Sequence, residues 1–64
     1  MRLRDLREDS DLKQSDIAKL LNIKQNTYSQ YENGKREIPI SMLWILADFY
    51  NTTIDFLVGR TDKK

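Results

Sequence analysis

The sequence predicts an all-α domain of five short helices, on three observations. Apolar residues recur at helical spacing almost throughout, and no alternating run is long enough for a strand. Residues that stop helices or form turns stand between these runs: Asn22, Gly34, Asn51-Thr52-Thr53 and Gly59. A chain of 64 residues supports one domain, 1–64, whose core packs short helices and leaves no room for a large internal cavity. Glycine occurs twice and proline once, with no repeat, low-complexity segment or linker.

The first helix is expected over about residues 2–9, with Leu3, Leu6 and Arg7 on one face and Leu12 in the connection that follows. The second runs from about Gln14 to Leu21. Ile17, Leu20 and Leu21 form its apolar stripe at i, i+3, i+4. Ala18 is small enough to let a neighbouring helix approach. Asn22 makes the break, since asparagine tolerates the left-handed backbone of a tight turn. The third helix covers about Gln25 to Asn33 and stops at Gly34. Pro39 opens the fourth, as proline is tolerated in a first turn. That helix reaches about Tyr50, with Leu43, Leu46, Ala47 and Tyr50 inward. Thr53 caps a short fifth helix, with Asp55 near its positive end, Ile54 and Leu57 inward and Gly59 at its close. The tail RTDKK is expected to fray.

Composition removes several function classes. Without cysteine there are no disulfides, no thiolate chemistry and none of the usual zinc sites; without histidine the commonest acid/base residue and metal ligand is missing. No metal or cofactor is expected. The acids form no pair within a shaped pocket, no nucleophile stands with a base, and no glycine loop cradles phosphate, so an enzyme is not expected. No apolar run is long enough to span a membrane, and MRLRDLRED is not a signal peptide. The expected location is cytoplasmic, with the nucleoid.

Charge is unevenly placed. Residues 13–36 carry Lys13, Lys19, Lys24, Lys35 and Arg36 against Asp16 and Glu32, net +3, while the segments on either side are each −1. A local basic patch is an electrostatic footprint for phosphate. Within it lies NIKQNTYSQYENGKR, rich in uncharged amides. At about 100° per residue, Gln25, Ser29, Asn33, Asn26 and Gln30 fall together on the side of the third helix opposite Tyr28 and Tyr31. The tyrosines belong to the core. The outward face is then all amide and hydroxyl. Amides offer both donors and an acceptor, and can pair with an adenine edge in a major groove about as wide as a helix. Carboxylates there would be repelled by phosphate.

QSDIAKLLNIKQNTYSQYEN has eight helical residues, a tight break and a second short helix. It resembles the helix-turn-helix of the Cro/CI-like (XRE, lambda-repressor-like) bacterial and phage repressors, at about residues 14–33. Gln14 stands at the motif's first position, and Ile17, Ala18, Leu21, Ile23, Tyr28 and Tyr31 match its apolar positions. ENGKR, the first-helix LRDLRED and the closing LADFYNTTIDFLVGRTD extend the likeness over essentially the whole chain. Departures are mild: Asn22 replaces a frequent glycine, and Lys13 and Lys24 replace the Ser or Thr that often precede the two helices. Lysine has no acceptor to cap with, and its charge opposes the helix dipole.

The resemblance implies a sequence-specific double-stranded DNA-binding transcription regulator, a repressor, acting by occlusion. Gln25, Asn26, Ser29 and Gln30 are the expected base contacts. Gln14, Lys24, Asn33, Lys35 and Arg36 are the expected phosphate contacts. An Arg7–Glu32 ion pair is expected to join the first helix to the end of the third. Family members usually dimerise on half-sites about one helical turn apart. Trp44, Ile45, Phe49 and Met42 do not fit the core stripe of the fourth helix, and Phe49 is the one expected to be partly buried. With Phe56 and Val58, the residues Trp44, Ile45 and Phe49 are the candidate homodimer surface. With no sensor domain after residue 64, control is expected through concentration, a partner protein or a separate chain. The rival reading is a protein-interaction or antitoxin-like module that uses the same fold on a partner protein.

Overall fold

The backbone runs through α1 (Leu3–Asp9), α2 (Gln14–Leu21), α3 (Gln25–Glu32), α4 (Ile40–Phe49) and α5 (Ile54–Val58) in the computed structural model, which describes residues 1–64. There is no strand. This is the all-α, five-helix arrangement that the spacing predicts, and the lambda-repressor-like one that the resemblance implies. All twelve buried residues are apolar or aromatic: Leu3 and Leu6 from α1, Ile17, Ala18 and Leu21 from α2, Tyr28 and Tyr31 from α3, Ile38, Leu43, Leu46 and Ala47 from the loop and α4, and Leu57 from α5. Helices this short are marginal alone in water, so their stability comes from burying these faces together.

Local chemistry sets the boundaries. Asn22 takes the left-handed conformation at φ 57° that ends α2. Gly34, at φ 74°, follows Asn33, the C-cap of α3, where only glycine adopts that backbone freely. The Thr53 hydroxyl accepts the Phe56 N–H at 3.1 Å and caps α5.

Four expectations need correction. Leu20 is not part of the buried stripe of α2; it is 40% exposed, and Ala18 takes its place inward, because a small residue lets α3 pack closely. Pro39 does not lie inside α4. It is the N-cap, with extended ψ of 147°, and the helix begins at Ile40. On α4, Phe49 remains 48% exposed, and Met42 is the residue packed against the core edge. The tail is bonded at its start: Arg2 Nη1 donates to the Phe56 and Thr61 carbonyls, both at 2.7 Å, and Arg2 Nη2 reaches Asp62 at 2.7 Å, while Lys63 and Lys64 are exposed. Arg2 N–H also donates to the Leu57 carbonyl at 2.8 Å, so the N-terminus ties down α5.

Candidate nucleic-acid interface

The position of α3 is fixed from beneath by its two tyrosines. Tyr28 is wholly buried and Tyr31 nearly so, which turns the opposite side of the helix to solvent. Gln25 and Asn26 are exposed there, and Ser29 and Gln30 are half-buried. The amides of Gln25, Asn26 and Gln30 make no hydrogen bond to another side chain, so their donors and acceptors are free. Lys24 is the N-cap of α3 and makes no capping bond, which leaves first-turn N–H groups open at the positive end of the helix. At the other end, Lys35 N–H and Arg36 N–H donate to the Gln30 carbonyl at 3.0 and 3.3 Å. These bonds fold the loop back onto α3 and hold both exposed cations just past the amide face. The amide face thus has a lysine at its N-terminal end and two exposed basic residues in the loop just past its C-terminal end.

Lys13 opens α2. It has no acceptor, and the cap is completed from the other direction: the Asp16 carboxylate accepts the Lys13 backbone N–H at 2.8 Å. Gln14 follows, half-buried, and its Nε2 donates to Glu32 Oε1 at 3.1 Å. One of its two amide hydrogens is therefore engaged inside the protein, and its other hydrogen is what it has to donate to a phosphate. Asn33 is also engaged, its Oδ1 accepting from Arg4 Nη2 at 2.9 Å.

Beneath this surface lies a charged cluster. Arg7 Nε and Nη2 donate to the two Glu32 oxygens at 2.7 and 3.2 Å, and Arg7 Nη1 donates to the Leu12 carbonyl at 2.9 Å. One guanidinium therefore links α1, the connection after it and α3. The Glu32 side chain is fully buried and that of Arg7 is 12% exposed. Burial by itself pushes the Glu32 carboxyl up; hydrogen bonds led by Arg7, with Gln14 contributing, outweigh it and hold the group below the usual carboxylate range. The hydrogen bond to Glu32 raises Arg7 in turn. The hydroxyls of Tyr28 and Tyr50 are buried nearby without a hydrogen bond of good geometry. Burial, reinforced by Glu32, raises both, Tyr50 to about 12.

Arg4 is the residue that the sequence reading missed. Its Nε lies 3.6 Å from Glu32 Oε1, and it reaches Asn33 from α1. The signal was available: Arg4 and Arg7 are three apart on one helix, so both face the end of α3.

The candidate dimer surface divides. Trp44 and Ile45 are 62% and 41% exposed, and Phe49 joins them; Ile40, which the sequence reading did not single out, is 66% exposed. Phe56 and Val58 are instead partly buried against the core, and the Arg2 guanidinium lies 4.3 Å above the Phe56 ring. Arg2 thus lies over one side of the Phe56 ring, and the exposed members of the candidate surface are those on α4. No helix is long and apolar enough to cross a membrane, and no cluster of acidic side chains could hold a metal ion.

A helix-turn-helix family model matches residues 3–57. The chain is 40% identical over 63 residues to the HTH-type transcriptional regulator AnsR of Bacillus subtilis, covering 98% of this chain and 54% of that protein. It is 34% identical over 61 residues to the cryptic phage CTXphi transcriptional repressor RstR of Vibrio cholerae, covering 95% and 55%. It is 30% identical over 58 residues to the antitoxin PezA of Streptococcus pneumoniae, covering 91% and 37%. The chain spans about half the length, or less, of these relatives. No solved structure matches it. The motif at residues 14–33, the five helices around it and the whole-length match give one conclusion: the chain belongs to the helix-turn-helix family, of the Cro/CI-like (XRE) type.

Proposed function

We propose that the chain is a sequence-specific double-stranded DNA-binding regulator that represses transcription by occluding a promoter, without catalysis, in the compartment that holds the DNA. The observation that carries this reading is the uncharged face of α3, on which the Gln25, Asn26 and Gln30 amides are unpaired, flanked by Lys24 at one end and Lys35 and Arg36 at the other. Gln25, Asn26, Ser29 and Gln30 read base edges in the major groove. Lys24, Lys35 and Arg36 hold phosphates, with Gln14 and Asn33 beside them, and fix the register in which the amides are presented. The relatives named as transcriptional regulators support the same role.

Two copies on adjacent half-sites suit a helix this short, which spans too few base pairs for specificity alone. The α4 face of Ile40, Trp44, Ile45 and Phe49 is the proposed contact between copies, since such patches commonly mark interfaces. The same face supports a second reading, in which it binds a different protein, as in an antitoxin; the likeness to PezA favours keeping that reading in view.

Selection of bound sequences from a random duplex pool, followed by titration against salt, tests the proposal. Gln25→Ala, Asn26→Ala and Gln30→Ala each cost about 1–3 kcal/mol on the selected site and little on random duplex. Lys35→Ala and Arg36→Ala weaken both alike and flatten the salt dependence. Equal losses on both duplexes for the amide variants would remove the base-reading assignment.

A further inference from the structure

By charge count, residues 1–12 are net −1 and fall outside the basic patch. Folding changes that arithmetic. Arg7 neutralises Glu32 in a close two-bond pair, so Arg4, 3.6 Å from the same carboxylate, is the surplus cation of a three-charge cluster. Its side chain is 54% exposed, and one of its nitrogens is fixed on Asn33 Oδ1 at 2.9 Å. A guanidinium only donates, so this bond decides which way the Asn33 amide points. The Asn33 nitrogen is then turned toward Ser29, with Nδ2 3.4 Å from Ser29 Oγ. Of the five Arg4 N–H groups, most have no acceptor in the protein, and Asn33 keeps a spare amide hydrogen. The arrangement is a planar cation and an amide joined edge to edge, bridging α1 to the end of α3 beside the proposed reading face.

We propose that Arg4 and Asn33 act together as a phosphate clamp, so that the DNA-contacting surface extends from the helix-turn-helix onto α1. Resting on the DNA-binding reading above, this makes Arg4 a direct phosphate contact and also the positioning residue for the Asn33 amide. A guanidinium suits the role better than an ammonium would, because its fixed fork can serve Asn33 and a phosphate oxygen at once. Arg4 identifies no base. Its contribution falls equally on every sequence, and it carries a counterion-release signature that the neutral Asn33 lacks.

The test is duplex binding by the full chain on the selected site and on random duplex, from 50 to 200 mM salt. Wild type is compared with Arg4→Gln, Arg4→Lys, Asn33→Ala and the Arg4→Gln/Asn33→Ala double variant. Losing one phosphate contact lowers the log–log salt slope by about 0.9, so the wild-type advantage over Arg4→Gln shrinks about 3.5-fold across that range, alike on both duplexes. Arg4→Lys keeps the slope and loses affinity, since it retains the charge without the fork. The double variant loses less than the product of the single losses, because the two residues act as a unit. Circular dichroism and thermal melting identify any variant that fails to fold, and Arg4→Lys then reads the clamp on its own. An Arg4→Gln slope equal to wild type, or strictly multiplicative losses, overturns the clamp while leaving the DNA-binding reading intact. A wild type that binds no duplex in a salt-dependent way overturns that reading itself.

Discussion

Glu32→Gln replaces a carboxylate by an amide of nearly the same shape, so it changes charge and hydrogen-bond polarity while leaving volume alone. The Glu32 carboxylate accepts two N–H groups from Arg7 and one from Gln14. Glutamine offers one oxygen where there were two. Whichever way its amide turns, its NH2 meets an Arg7 nitrogen that can only donate. Arg7, with its side chain 12% exposed, is left as a nearly buried and uncompensated cation. Breaking a buried pair from one side costs about 3–5 kcal/mol, against about 0–1 kcal/mol for an exposed one. At roughly 0.05–0.15 kcal/mol per residue, the whole chain is worth about 3–10 kcal/mol, so the variant is expected to lose about a third or more of its stability. Urea unfolding followed by far-ultraviolet circular dichroism measures this; Trp44 fluorescence is a poor reporter because that ring is already 62% exposed. The double variant Arg7→Leu/Glu32→Leu removes both charges and is expected to recover most of the loss, short of about 1 kcal/mol for the Leu12 carbonyl left unpaired. Acid provides an independent reading. The folded carboxyl is held below its ordinary value, so the unfolded chain binds more protons. The stability from this group is therefore present above the usual carboxylate range and lost as pH falls through the folded pKa. A Glu32→Gln cost below about 1 kcal/mol, as for an exposed pair, would refute the reasoning.

Lys24→Thr places an acceptor at an extended N-cap that now has none, so a gain of about 0.5–2 kcal/mol in thermal melting is expected, with weaker DNA binding from the lost charge. An unchanged melting temperature would mean that residue 24 does not limit α3. Ile45→Lys puts a charge in the middle of the exposed α4 face, and sedimentation at several concentrations should show the variant as monomer where the wild type associates. If both dimerise equally, α4 is not the contact between copies. Tyr50→Phe removes a buried hydroxyl that has no partner, so stability at neutral pH should be unchanged or slightly higher. In the wild type the raised Tyr50 pKa means stability is full below the ordinary tyrosine value and declines as pH rises through about 12, and this variant should lose less over that interval. A large destabilisation by Tyr50→Phe at neutral pH would reveal a hydrogen bond that the static geometry does not contain.

Periodicity and turn chemistry determined the helices, because both act over three or four residues. Asn22 and Gly34 supply the left-handed backbone at two of the breaks, Thr53 supplies a cap, and the stripe of Leu43, Leu46 and Ala47 marks the inward side of α4. The amide face of α3 was legible for the same reason: one helix with two buried tyrosines has one outward side. What the sequence could not decide was every matter settled between helices. Whether Leu20 or Ala18 faces the core depends on how closely α3 approaches α2. Whether Phe49 or Met42 is covered depends on where the neighbouring elements lie against α4. Phe56 reads as an exposed aromatic until Arg2, 54 residues away along the chain, is found above it. Arg4 reads as part of an acidic segment until α1 is placed against the end of α3, where Arg7 pairs closely with Glu32 and leaves Arg4 as the surplus cation beside Asn33. Backbone preference is local and can be read from a short window. The balance of charge and the covering of an apolar side chain are sums over neighbours, and only the packed structure decides which neighbours a residue has.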